Sequence, residues 1–306
     1  MASDDKVAAI ISLFNPPPDL PERVERLARE VSLVVAVDDG SSNPDPAIFE
    51  QLEKSSTVIR LPDNAGIAAA LNTGITAARD AIHADWYLTL DQDSELDEGF
   101  VAAALSTARR AEEAGLKVGA VTPESHNGRR IDMLPRRDEF SDGFDPMQSG
   151  TLFSRQAIDH VGLLEVGLFI DAVDSEYTAR LRQEGYRVLA GEGCNISHSV
   201  GNARPMTVFG RRVRLAGNEM NVYYHAPFRV YYISRNSIRL TRKYLLSEPG
   251  WIAKRLALET AFHAIRFTFG PHRKKLFRAF LAGTADGLRG RDGRIPGPVE
   301  QKINAS

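Results

Sequence analysis

Asp91 and Asp93 stand one residue apart in the stretch LTLDQDSE (88–95), where an apolar run stops abruptly. Alternation along a strand puts both carboxylates on the same side, or leaves both at its ragged end. Like charges so close repel, so either water screens them or a cation sits between them. A hard divalent cation prefers carboxylate oxygens and commonly keeps waters and substrate phosphates in its shell. Such a cation would neutralise a departing diphosphate. Short acidic pairs are also common on protein surfaces, so the neighbouring elements must decide between these readings.

Those elements alternate. VAAIISL (7–13) and VSLVVAV (31–37) are continuous apolar runs of strand type, as expected of strands covered on both faces. TVIRL (57–61), WYLTL (86–90) and VGAV (118–121) are shorter versions, and helix-like stretches at 19–30, 46–55, 66–80 and 98–114 lie between them. The pattern predicts a mostly parallel sheet between helices, whose ligands bind beyond the carboxyl ends of the strands. The first strand runs into Asn15 and three prolines, and the second into Asp38-Asp39-Gly40-Ser41. The third runs into Asn64-Ala65-Gly66 and the fourth into Asp91-Gln92-Asp93. Turn chemistry accounts for any one of these; four on one rim of a sheet mark a site. No Gly-x-Gly-x-x-Gly follows the first strand and no phosphate-loop lysine motif occurs, which disfavours a dinucleotide dehydrogenase or a P-loop enzyme. Residues 123–147 read as a loop or irregular hairpin. Beyond about residue 205 strand signals fade, and 222–288 reads as two or three helices.

Composition adds bounds. The 306 residues include one cysteine, Cys194, so there is no internal disulfide framework, and the thiol reads as buried and inert. MASDDKVAAI lacks the basic start and apolar stretch of a signal peptide, and no apolar run approaches the roughly 20 residues of a membrane span. A cytoplasmic location is the expectation. The net charge of −2 conceals a split. From Arg204 to Arg291 there are 18 Lys and Arg against four acids, a net +14, while the remainder has 20 basic and 36 acidic residues, a net −16. A basic segment of this kind favours an anionic surface, lipid or nucleic acid.

VAVDDGSSN (35–43), NAGIAAALNTGI (64–75), LDQDSE (90–95), MQSGTLFS (147–154) and LFIDAVDSEYTARLRQEGYRV (168–188) occur in the order found in glycosyltransferase family 2. The chain resembles that family over roughly residues 7–245, and most closely its rhamnosyltransferases. The resemblance implies an α/β GT-A fold, with a catalytic domain over 1–205 and a basic, mainly helical region over 206–306. It also implies inverting transfer of a sugar, dTDP-L-rhamnose with Mg²⁺ or Mn²⁺, to a saccharide or lipid-linked acceptor in cell-surface polysaccharide synthesis. Galactofuranosyl- or glucosyltransferases using UDP-sugars are the near alternative. A sugar-nucleotide nucleotidyltransferase usually has a Gly-rich basic loop where Phe14-Asn15-Pro16 stands. Intact acids at 39, 91, 93 and 174 argue against a non-catalytic membrane-binding module. The sequence leaves a homo-oligomer open.

Carried over residue by residue, Asp39 would bind the nucleobase with Asp38 in support, and Asn15, Asn64, Gly66 and Asn72 would line the nucleotide and sugar-phosphate region. Asp91 would reach the ribose or the metal, and Asp93 and His198 would hold the metal. Amides at the start of the 66–80 helix would favour a phosphate. Asp174 would be the base that takes the acceptor hydroxyl's proton. Asp171, Glu176, Gln148, Ser149 and Gly150 would serve the acceptor or sugar. The bland readings stand beside these: first-turn acids offset a helix dipole, a lone histidine is usually structural, and small residues before a strand pack. His225, Pro227, Arg229, Tyr231, Tyr232, Arg235 and Asn236 resemble a stretch common in the subgroup, where Arg229 and Arg235 would contact the diphosphate. The helices beyond either pack with solvated charges or bind anionic lipid on the inner face of the cell membrane. No nucleic-acid recognition motif accompanies the charge.

Overall fold

The computed structural model describes residues 5–198, 203–208, 211–215, 218–219, 221–223 and 225–305, with 198, 203, 204, 208, 215, 218 and 221–223 described as backbone only. Contacts divide the chain into one unit of residues 1–169 with 173–199 and a second of 170–172 with 200–306.

In the first unit, strands form at Val7–Leu13 (β1), Leu33–Asp38 (β2), Thr57–Arg60 (β3) and Trp86–Asp91 (β4), joined by helices Leu20–Leu27 (α1), Pro46–Leu52 (α2) and Ile67–Ile82 (α3). Then follow Ser94–Leu96 (β5), Phe100–Glu113 (α4), Val118–His126 (β6), Arg129–Arg130 (β7), Thr151–Ser154 (β8), Arg155–Val161 (α5), Val173–Gln183 (α6) and Arg187–His198 (β9). Local chemistry explains the helix starts: Pro46 occupies the first turn of α2, and Asp45 accepts from the Ala47 amide at 3.0 Å. The sheet order is β3-β2-β1-β4-β8-β6-β9-β5, with β7 beside β6. Six strands share one direction; β8 is antiparallel to both β4 and β6, and β5 is antiparallel to β9.

β1 is buried on both faces. Val7, Ala9, Ile11 and Leu13 join Leu20 and Val24 of α1, Phe49 of α2 and Phe100 of α4 in one core cluster. Ala8 and Ile10 turn to the opposite face, where α3 packs on β1 and β2. Each fully buried aliphatic side chain contributes roughly 1.5–3 kcal/mol, so β1 is held firmly in the sheet. It is also the point where the chain turns both ways, parallel to β2 on one side and to β4 on the other. Leu13 lies level with Asp38, and Ser12 level with Asp91. The ends of β2 and β4 therefore flank the end of β1, at the switch point where open α/β sheets bind ligands.

The second unit begins with short two-stranded ladders, Ala203–Pro205 with Asn221–Tyr223, Thr207–Val208 with Arg211–Arg212, and Arg214–Leu215 with Asn218–Glu219. Helices Pro227–Tyr244 (α7), Pro249–Phe269 (α8), Arg273–Leu288 (α9) and Gly297–Asn304 (α10) follow. The helices expected between 222 and 288 are three. Their interior is polar in places: Arg235 is fully buried, and Tyr231 donates to the buried Asp286 at 2.9 Å.

Candidate functional site

The turn after β2 is built on its two aspartates. Asp38, 4% exposed, accepts from the Ser41 amide at 3.1 Å and the Ser41 hydroxyl at 2.5 Å, closing the turn on itself. Asp39 reaches across to the start of α3, its two oxygens accepting from the amides of Ala65 at 2.7 Å and Gly66 at 2.9 Å. Asn15, at the end of β1, donates to Ser42 and accepts from the Asn43 amide, so the β1 and β2 loops are tied together. Gly66 has φ of 94°, and a Cβ there would fall 2.5 Å from the Phe169 carbonyl oxygen. That close approach lets the Ile67 amide donate to Phe169 at 2.9 Å. The amides of Ala65, Gly66 and Ile67 are thus committed to Asp39 and Phe169, which corrects the expectation that they meet a phosphate. Asn64 differs: its Oδ1 is buried with no hydrogen-bond donor among the described residues.

Asn72 has a different task from the one expected. Its amide donates to the Leu164 carbonyl at 2.9 Å and accepts from the Leu164 amide at 3.0 Å, pinning the 162–168 segment to α3.

At the end of β4, Asp91 is partly exposed and doubly held. Its amide donates to Ser149 Oγ at 3.0 Å, and its Oδ1 accepts from Gln148 Nε2 at 2.6 Å. Ser149 Oγ also lies 2.7 Å from Ser94 Oγ, one residue past Asp93. Gln148 and Ser149 are 6% and 0% exposed. Gly150 has φ of 80°, and its Cβ position is blocked by Pro123 at 2.7 Å. These three residues are therefore the brace beneath Asp91 rather than an acceptor floor, because side chains closed off from solvent cannot meet an acceptor. Gln148 Oε1 is another buried acceptor with no donor among the described residues.

Gln92, which sequence reasoning passed over, completes the turn. It accepts from the Phe14 amide at 2.8 Å and donates to the Phe14 carbonyl at 3.1 Å, fastening the acidic turn to the end of β1. The signal was available: alternation puts residue 92 on the side opposite to Asp91 and Asp93. In the β5–β9 ladder Ser94 pairs with His198, so the backbone brings His198 beside the acidic turn. The His198 imidazole lies outside the described residues. Among the described residues no group of three or more His, Cys, Asp or Glu converges. Two carboxylates joined by one imidazole is nonetheless a donor set that suits Mg²⁺ or Mn²⁺.

The acids around α6 sort by environment. Glu176, 1% exposed, is gripped by Arg180 one turn on, with three N···O distances of 2.9–3.2 Å. It cannot reach an acceptor. Asp174 stays partly exposed on the first turn, its Oδ1 accepting from the Ser175 amide at 2.8 Å.

In the second unit Asp171 forms a two-point ion pair with Arg229, Nη2 to Oδ1 at 2.5 Å and Nε to Oδ2 at 3.3 Å. Each is thereby engaged by the other, which corrects both the sugar role of Asp171 and the diphosphate role of Arg229. Arg235 is fully buried, donates to Asn236 Oδ1 at 2.9 Å and to the Gly293 carbonyl, and lies over the Tyr232 ring. A guanidinium sealed in a helix interface cannot meet a diphosphate. Cys194 is buried, and desolvation pushes its thiol up to about 12. A cavity of about 700 Å³ opens on the α1 side, between α1, β5 and the start of α4. It shares Asp91 and Ser94 with the acidic turn but none of Asp38, Asp39, Asn64 or Gln148.

Residues 8–162, half of the chain, match the profile of glycosyl transferase family 2. A dTDP-rhamnosyl transferase, RfbF of Shigella flexneri, is 27% identical over 303 residues, covering 94% of this chain and 97% of that protein. Among solved structures, TarS 1-349 of S. aureus in complex with UDP-GlcNAc superposes with a TM-score of 0.54 at 15% identity, over 96% of this chain and 83% of that one. GalNAc-T7 with UDP, GalNAc and Mn²⁺ gives 0.52 at 14% identity over 75% of this chain; the match spans about half (47%) of the GalNAc-T7 chain. Likeness at these identities concerns architecture, which is that of the GT-A fold.

Proposed function

The chain belongs to glycosyl transferase family 2, and from that premise we propose that it is an inverting, metal-dependent enzyme that moves L-rhamnose from dTDP-L-rhamnose to a hydroxyl of a saccharide or lipid-linked acceptor. The observation that carries the donor is the match to a dTDP-rhamnosyl transferase through nearly the whole of both chains.

Asp93 and His198, with Asp91, would hold Mg²⁺ or Mn²⁺, which supplies charge neutralisation for the diphosphate leaving group. Asp39 and Asn15 order the loops on the nucleotide side. Asp174 accepts the acceptor hydroxyl's proton as that oxygen bonds to the anomeric carbon, and the electron pair of the broken bond leaves on the diphosphate. With the glycosidic bond made from the face opposite the leaving group, configuration inverts. Glu176 is bound to Arg180 and Asp171 to Arg229, while Asp174 stands partly exposed on the first turn of α6.

The second unit brings the enzyme to anionic lipid. Phe262, Phe277, Leu281 and Leu288 on α8 and α9 are each at least half exposed. The acids of those helices are occupied, Glu259 by Arg255 and Ser237, and Asp286 by Tyr231. Their surface therefore combines apolar side chains with cations, the composition of an interfacial helix pair. No described helix is long and apolar enough to cross a membrane.

Asp174→Asn tests the chemistry. It keeps size and cannot take the proton, so dTDP affinity should stay within a few-fold of wild type while transfer falls by roughly 10²–10⁴. Transfer near the wild-type rate would remove Asp174 as base.

A further inference from the structure

Between the 162–168 segment and α6 the backbone is strained. Phe169, Asp171 and Ala172 have φ of 65°, 61° and 63°, the left-handed region that residues with a Cβ rarely occupy. Such conformations persist only where the surroundings over-determine them, and they concentrate at functional sites. Here the surroundings are two side chains of α7. Asn236 Nδ2 donates to the carbonyls of both Ile170, at 2.9 Å, and Asp171, at 2.8 Å. The Arg229 fork holds the Asp171 carboxylate at two points. Seven residues, two helical turns, separate Arg229 from Asn236, so both project from one face.

The grip is braced from behind. Asn236 is fully buried and its Oδ1 accepts from the fully buried Arg235, which is itself fixed to the Gly293 carbonyl. Ile170–Ala172 accordingly group with the second unit, although the residues on either side belong to the first. On the upstream side Phe169 accepts from the Ile67 amide. Downstream, Asp174 follows Asp171 by three residues.

We propose that Arg229 and Asn236 are positioning residues for sugar transfer: their hold on Ile170 and Asp171 fixes the strained turn from which Asp174 is presented. This rests on the reading of Asp174 as base. It assigns a task to the Arg229–Asn236 stretch other than diphosphate binding. A base must sit within hydrogen-bond reach of the proton it takes, and a misplacement of about 1 Å can cost on the order of 10² in rate.

The test uses the full chain and five variants, Arg229→Lys, Asn236→Asp, Asp171→Gly, Asp171→Asn and the double variant Arg229→Lys/Asp171→Asn. Lysine keeps the charge of Arg229 and loses the fork; aspartate keeps the shape of Asn236 and loses both donated bonds. Each should lower kcat by about 10–100-fold with donor KM and dTDP Kd within about 3-fold of wild type. The double variant should be no slower than the slower of its parents, because the two groups act as one clasp. Glycine accepts the backbone of residue 171 without strain, so Asp171→Gly should keep Tm within a few degrees while kcat falls as in Arg229→Lys. A purely structural role would instead tie the loss of activity to a loss of Tm.

Wild-type kcat in Arg229→Lys and Asn236→Asp, with Asp174→Asn inactive, overturns the clasp and leaves the base in place. A rise of tenfold or more in donor KM at unchanged kcat overturns it in favour of a diphosphate contact at Arg229. Wild-type turnover in Asp174→Asn is the separate signature of a wrong base.

Discussion

Replacing Asp39 with alanine removes both acceptors from the turn that opens α3. The Gly66 amide is buried and would lose a charge-assisted bond of 2.9 Å with nothing to replace it, a cost of roughly 1.5–3 kcal/mol. The Ala65 amide, at 2.7 Å, is nearer the surface; water can take over part of that bond, so about 1 kcal/mol is a fair share. The total is about 3 kcal/mol. For a domain of 150–250 residues this converts to a fall in Tm of about 6–12 °C. Asp39→Asn keeps one acceptor and should lose about half as much. Thermal and urea unfolding measure the total, and hydrogen exchange at Ala65 and Gly66 locates it, since both amides should exchange faster in Asp39→Ala. If Asp39→Ala melts within about 2 °C of wild type with unchanged exchange, the clasp between β2 and α3 does not carry the load inferred from its geometry.

Excess EDTA should abolish transfer and added Mn²⁺ or Mg²⁺ restore it; full activity in EDTA would remove the metal from Asp91, Asp93 and His198. Sedimentation with vesicles should show binding that grows with anionic lipid, weakens with salt, and drops at least fivefold in Phe262→Ser/Phe277→Ser; equal binding to neutral vesicles would exclude an electrostatic contribution. His263 is held down to about 4, first by burial and then by Arg266, against an ordinary value of 6.5. Its folded value is depressed, so the unfolded chain binds more protons between those limits. The stability it contributes is complete above pH 6.5 and is lost as pH falls toward 4, up to roughly 3 kcal/mol. Tm measured from pH 7 to 4 should fall, with a shallower slope in His263→Gln, and parallel slopes would contradict the assignment.

Much of the scaffold was legible in local sequence because burial on both faces leaves an unbroken apolar run. β1, β2 and β4 are of that kind, and each delivers polar residues to the same rim. The acidic turn and the Asp39 turn could be placed for the same reason. What could not be read was which side chain would meet which. Asp171 and Arg229 are 58 residues apart, and Asp91 and Gln148 are 57 apart; no local spacing encodes either pair. Gln148, Ser149 and Asn72 have the right chemistry to touch a ligand. They are instead consumed in holding the backbone, a distinction that depends on burial, and burial is set by packing of distant segments. Arg235 illustrates the point, since the resemblance implied a contact to the diphosphate, yet its guanidinium lies fully enclosed between helices.

The most direct test is turnover of a panel of nucleotide sugars by the purified full chain with Mn²⁺, following release of the nucleoside diphosphate. dTDP-L-rhamnose should be consumed at least tenfold faster than UDP-glucose, UDP-GlcNAc or UDP-galactofuranose. Faster release of UDP from any of these three would contradict the rhamnosyl assignment.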